Sequence, residues 1–343
     1  MAKGSGSAGR TGRTRPEDGP IIIDLPPGKT KRPRTPGSGG TTGGTITGIP
    51  EEYEPRPDLK WYQNDKRPVK ASERIYTPQQ GENVETYNKA KENIDKVHAV
   101  RAEQAPMQWR ARSRPGDGTL GQHVGLNFVD TDPESPTKGQ VLPYSDIVLN
   151  TGYNAGNEPA KRGTLYHETG HGHDFGQNYE EKVIPNSLAN DQYHKRKYDS
   201  ENAFEKVRRA GTLEPNPKDT PTVQWAKSVQ RSTSYKNLVE KREKAKKERN
   251  SDAVKYLNYL TDPKELYARS YTQYISKHAD PEVMKESRRK YKERDSAFKQ
   301  TVGYDQWRGK DFDTIDQSFD RIFGSRGLDT KNQEQPIIVP ITS

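Results

Sequence analysis

From Asn83 to about Gln104, apolar side chains recur at Val84, Tyr87, Ile94 and Val97, at spacings of three and seven. That spacing lines one face of a helix and predicts a core-facing helix here. The period then changes. Val124, Leu126 and Phe128 alternate with Gly125, Asn127 and Val129, the two-residue repeat of a strand. A second strand is expected at Asp146–Asn150, after a polar turn rich in Pro, Ser and Lys. A helix should follow from about Lys161 to Phe175, with Gly176 as its stop, since glycine is common just past a helix end. Residues 200–290 read as mainly helical, and within them the alternating charges of Tyr235–Arg249 predict an exposed helix, part of a hairpin. A last helix is expected at Asp311–Phe323, where Phe312, Ile315, Phe319 and Ile322 repeat at three and four residues and mark a core stripe.

Composition narrows the picture. Only 28% of the 343 residues are hydrophobic, 31% are charged, and Gly and Pro number 29 and 25. The length allows two or three domains, but so polar a chain is expected to build one compact domain with long polar arms. Residues 1–72, rich in Gly, Pro, Thr, Lys and Arg, are expected to form a disordered basic arm, with a flexible linker near residues 37–48. Within that arm Ile21-Ile22-Ile23-Asp24-Leu25 reads either as a docking strand for a partner's sheet or as a cluster without a role. The tail 331–343 repeats the theme in Pro336–Ile341, a second dock or a strand closing the domain. The folded domain should span 73–330, with a charged helical insertion at about 200–258. Its expected class is α+β, mostly helical with a small sheet.

The formal charge is +9. It favours acidic partners, and Lys3, Arg10, Arg13, Arg15 and Lys29 could neutralise phosphate, but no nucleic-acid-reading motif is present. The reading is non-specific nucleic-acid contact at most. The absence of cysteine excludes disulfides, thiolate ligands and a cysteine nucleophile. The N-terminus lacks the apolar core of a signal peptide, and no apolar run approaches membrane-spanning length, so a soluble protein without membrane contact is expected.

The chemistry concentrates at His167-Glu168-Thr169-Gly170-His171. Two histidines four apart share a helix face, where one metal ion, usually zinc, can take both imidazoles. Glu168, beside the first, can accept the proton of an attacking water. A catalytic zinc needs a third protein ligand. The sixth residue past His171 is Gln177, so the pattern with a third histidine there fails. His173 lies off the ligand face and suits a surface or supporting role. The best candidate is Glu265, on a helix expected to start at Pro263, where small Ala268 would allow close approach to the motif helix. Glu201 is the runner-up.

HETGHGHDF together with ELYARSYTQYI resembles the glutamate-zincin domains of the anthrax lethal factor type. It also resembles related domains of bacterial polymorphic toxins and tailed-phage head proteins. Residues YDQWRGKDFDTIDQSFDRIFGSRGL are more loosely similar to the tail of phage-associated versions, so the likeness spans roughly 120–325. The resemblance implies a zincin-like fold and a zinc-dependent metalloendopeptidase acting on a protein substrate. It implies zinc on His167, His171 and Glu265, Glu168 as general base, and Asp174 orienting a ligand. A tyrosine just upstream of the third ligand would donate to the oxyanion, which points to Tyr259, with Tyr256 next. Phage head or portal components become candidate partners of the arm, with the protein virion-associated or delivered to a target cell. Two features depart from the pattern: Arg269 stands where a second glutamate is expected, and Glu265 lies farther from His171 than usual, as an inserted helical segment would explain. In the alternative reading, a virion structural protein keeps the zincin-like domain as a scaffold. In the edge-strand arrangement of such sites, Asp146–Asn150 would be the ledge that pairs with substrate.

Overall fold

The computed structural model describes residues 67–102, 104, 106–112, 120–129, 141–151, 156–176, 198–294, 296, 299 and 306–324. The segments Ile21–Leu25 and Pro336–Ile341, the linker near 37–48 and Gln177 lie outside them. Strands β1 (Pro68–Lys70) and β3 (Ala99–Arg101) form an antiparallel pair. Strand β1, paired with β3, falls within residues 1–72, the stretch expected to form the arm. Strands β2 (Ile75–Tyr76), β4 (Met107–Arg112), β5 (Gly121–Val129) and β6 (Val141–Asn150) form a sheet in the order β2-β4-β6-β5. Strand β5 is antiparallel to β6, and the other pairs are parallel. This order corrects the expected ledge. Asp146–Asn150 lies inside the sheet, bonded on both sides, and among the described residues β5 is an edge strand, as is β2 at the other end.

Helix α1 (Val84–Val97) buries Tyr87, Ala90, Ile94 and Val97 on one face. It stops seven residues short of the expected Gln104, because His98 turns to extended backbone and β3 follows at once. Helix α2 (Glu158–Gly176) carries the histidine motif. Next come α3 (Asp199–Ala210), α4 (Pro221–Arg231), α5 (Thr233–Lys247) and α6 (Ser251–Leu260), then α7 (Pro263–His278), α8 (Pro281–Glu293) and α9 (Lys310–Gly324). The fold is α+β, mostly helical with a small sheet, as the sequence pattern indicated. No helix among the described residues is long and apolar enough to cross a membrane.

One main core joins the sheet to α1, α2, α3, α4, α7 and α9. Phe312, Ile315, Phe319 and Ile322 of α9 are all buried in it, as their spacing predicted. Helices α5 and α6 instead bury Leu238, Ala245, Ala253, Leu257, Tyr259 and Leu260 against each other, in a separate cluster. They are the charged hairpin. Within the expected insertion 200–258, helices α3 and α4 contribute Ala203, Val207, Trp225 and Val229 to the main core, and only the hairpin packs apart from it.

Helices α2 and α7 lie at the centre. From Ala160 to Asp174, and again from Glu265 to Ser276, every residue is buried. They cross at Gly170, where an added Cβ would lie 2.9 Å from the Ala268 Cα and 3.3 Å from its carbonyl oxygen. Only glycine fits against that backbone. Arg162 of α2 ties the same bundle to α8 through Asp280 (Nε–Oδ2, 2.6 Å), which also accepts from the hydroxyl of Tyr166 at 2.8 Å. Replacing Gly170 with valine is predicted to destabilise the protein by about 1–3 kcal/mol, since backbone must move to admit the side chain. Denaturant unfolding reads this as a lower midpoint, and an unchanged midpoint would contradict the close crossing.

Candidate metal centre

A helix buried on all sides must satisfy its polar groups internally. Helix α2 does this nearly everywhere. The hydroxyls of Thr164 and Thr169 donate to the carbonyls of Ala160 and Leu165. Lys161 meets Glu158 at 2.9 Å, and Arg162 meets Asp280 and Glu282. His173 Nδ1 accepts from the Gln104 amide at 2.7 Å. Asp174 accepts from the N–H and the hydroxyl of Ser200. The imidazoles of His167 and His171 stand out among these side chains. Both nitrogens of each ring are buried without a hydrogen-bond partner.

They face one carboxylate. Glu265, on the first turn of α7, lies 3.2 Å from His167 Nε2 and 3.4 Å from His171 Nε2. One donor atom from each of the three residues falls within 4.8 Å of the others. Two imidazoles and a carboxylate at this spacing form a buried group that could hold a metal ion, and a metal would satisfy the otherwise orphaned Nε2 atoms. The electrostatics agree. Burial pulls the His167 pKa down to about 4, with the neighbouring His171 and Arg269 adding to the shift against the pull of Glu265. The ring is therefore neutral near pH 7, the form that binds metal. Burial opposes ionisation of Glu265, yet the two facing histidines hold its carboxyl well below the ordinary range.

Other residues surround this group. The edge strand β5 starts against the motif: a Cβ on Gly121 would lie 3.0 Å from Glu168 Oε1 and 2.5 Å from the Thr164 methyl. This glycine lets the strand backbone run directly over the Glu168 side chain. Two residues on, His123 stacks on His171 with ring centroids 6.0 Å apart and shares a 3.0 Å hydrogen bond with the Ser145 hydroxyl. Burial, followed by the charges of His171 and Lys264, keeps His123 neutral. Tyr198, just before α3, sets its ring against His171 at 6.4 Å and His123 at 6.5 Å. Burial raises its phenol pKa, reinforced by Asp174, Glu265, Glu201 and Glu168.

Of the residues expected from sequence, His167, Glu168, His171 and Glu265 come together. Glu201 serves elsewhere, accepting the Tyr198 N–H at 3.0 Å at the start of α3. Asp174 fastens α2 to α3 by accepting from the N–H and hydroxyl of Ser200. His173 is a core residue and not a surface one: its ring packs against His98 and Tyr271 at 5.2 and 5.1 Å. Tyr259 belongs to the hairpin cluster, stacked on Tyr256 at 6.2 Å. Among the described residues the tyrosine ring that meets His171 is that of Tyr198. Arg269 is fully buried one turn past Glu265. It donates to the Leu260 carbonyl, closing α6 onto α7. Tyr198 and His123 went unnoticed because neither sits at a motif spacing; both reach the site only through folding.

No protein-family model, curated protein or solved structure matches the chain. The site's reading therefore rests on its own geometry.

Glu265→Gln is predicted to weaken metal affinity by about 10–100-fold and Glu201→Gln to leave it unchanged, as measured by competition with a chromogenic chelator. Equal affinities in all three proteins would exclude Glu265 as a ligand. The His167 shift also has a sign. Its folded pKa of about 4 lies below the ordinary value of 6.5, so the unfolded chain takes the proton first as pH falls. Metal-free protein should lose stability as the pH drops from 6.5 towards 4, with a shallower loss in His167→Gln. Parallel pH curves for the two proteins would refute the burial-driven shift.

Proposed function

We propose that this protein is a zinc-dependent metallopeptidase with a zincin-like domain. The carrying observation is the convergence of His167, His171 and Glu265 on one buried point, with Glu168 beside them under the sheet's edge. Zinc suits two imidazoles and a carboxylate, and when bound with a position left open it polarises a carbonyl and lowers the pKa of water.

The chain's own residues supply the rest. Glu168 shares the motif helix with the two histidines, and its Oε1 lies against Gly121. There its carboxylate can take a proton from the attacking water and return it to the leaving amine. The Tyr198 phenol keeps its proton at neutral pH, and its ring lies against His171. It is the donor best placed to stabilise charge developing on the carbonyl oxygen. Among the described residues strand β5 is hydrogen-bonded to β6 on one side only, which leaves a backbone edge that can pair with an extended peptide and carry its scissile bond past Glu168. A protein or peptide substrate fits this edge better than a compact small molecule.

Glu168→Gln should retain bound zinc and lose at least about 100-fold in peptide hydrolysis, the usual weight of a general base. Tyr198→Phe should lower kcat with zinc content unchanged. Parallel zinc analysis and single-substrate kinetics check both. Wild-type hydrolysis by Glu168→Gln would overturn the peptidase reading and favour a scaffold role for the domain.

A further inference from the structure

Lys264 is a cation beside this centre, and it is less buried than Arg269, whose charge also reaches His167. It lies on the first turn of α7, immediately before Glu265, and is half-buried. Its Nζ stands 5.8 Å from the centroid of the Tyr198 ring, whose edge meets His171. Its charge is felt at His123 on the edge strand. Lys264 therefore stands by the two rings that flank the metal centre, one from β5 and one from the start of α3.

The acids around it each have a structural partner, and Asp262 also feels the Lys264 charge without forming an ion pair to it. The Asp262 carboxylate caps α7, accepting the Lys264 backbone N–H at 3.1 Å. Glu201 accepts the Tyr198 N–H, and Glu265 faces the two histidines. No ion pair to Lys264 exists among the described residues. By contrast, Lys161, Arg162, Lys227 and Lys277 each have a carboxylate within 3.0 Å. A half-buried ammonium resting on an aromatic face retains most of its capacity for an anion, since the ring is worth only about 0.5–2 kcal/mol to it.

We propose that Lys264 selects the substrate by binding a carboxylate on the peptide, namely an aspartate or glutamate side chain beside the scissile bond. A peptide paired along β5 advances about 3.3 Å per residue, so an ammonium next to His123 and Tyr198 reads a position within roughly two residues of the bond cut. The proposal rests on the metallopeptidase reading and assigns it a substrate class, peptides with acidic residues near the cleavage point. A peptide's terminal carboxylate offers the same chemistry and is separated from the side chain by amidation.

The test is cleavage of a proteome-derived peptide library by the zinc-loaded full chain, with cut sites mapped by mass spectrometry. Wild type, Lys264→Met, Lys264→Arg and Lys264→Glu are compared after zinc content and unfolding midpoint confirm that each is intact. Wild type should enrich Asp and Glu within two residues of the cut and prefer a Glu peptide over its Gln counterpart by about tenfold in kcat/KM, the weight of one charge-assisted hydrogen bond. Lys264→Met should erase that preference, Lys264→Arg retain it, and Lys264→Glu shift enrichment towards Lys and Arg. Amidating the C-terminus should leave wild-type rates unchanged. Cleavage without acidic enrichment, an enrichment that survives in Lys264→Met, or a preference that vanishes on amidation would overturn the role of Lys264 and leave the peptidase reading standing. No cleavage at all by wild type carrying zinc would overturn that reading, and this proposal with it.

Discussion

The structure depends on the contact of Gly170 with Ala268. At that crossing two helix backbones come closer than any side chain would allow. The crossing at Gly170, between His167 and His171 in sequence, fixes α7 beside them, and the Glu265 carboxylate then faces both Nε2 atoms. Residues separated by almost a hundred positions in sequence thereby become neighbours. The hydroxyl and glycine positions between the two histidines serve the same end: Thr169 bonds its own helix, and Gly170 admits the partner.

Burial on all sides then sets the chemistry. A polar helix placed in a core must pair its side chains, and α2 pairs nearly all of them with α1, α3, α8 or its own carbonyls. The cost of leaving a buried polar group unpaired is about 1–3 kcal/mol. Two imidazoles with no hydrogen-bond partner on either nitrogen are therefore informative, and a metal would take one nitrogen from each. The same burial keeps His167 neutral and the Tyr198 phenol protonated, the states that ligation and hydrogen-bond donation require. Gly121 and Tyr198 bring the sheet edge and the start of α3 to this point, so three separate parts of the chain meet at the motif.

Local chemistry was legible in the sequence where spacing alone carries it. The i, i+4 histidines, the Phe312–Ile322 stripe and the small Ala268 beside a helical glutamate all read correctly, because helix geometry dictates them. The choice between Glu201 and Glu265 needed the crossing, and only the fold shows that Glu201 caps a helix. Strand order was beyond periodicity: Asp146–Asn150 has the buried run of an interior strand, and β5 the alternation of an edge, yet neither pattern states the order. The tyrosine was misplaced for a related reason. Tyr259 is closer in sequence to Glu265, but the hairpin needs it for its own small core, and Tyr198 approaches from a segment with no motif of its own. The spacing of His173 takes it off the ligand face and left a surface or a supporting role open; with α2 buried all round, that face is also core.

The measurement that bears most directly on the account is the zinc content of the purified full chain, determined by mass spectrometry of the metal after exhaustive dialysis, for wild type and for a His167→Ala, His171→Ala double variant. The account predicts about one zinc per chain in wild type and none in the variant, with both proteins folded. Wild type that takes up no metal even from added zinc, or a variant that binds it equally well, would contradict the central claim.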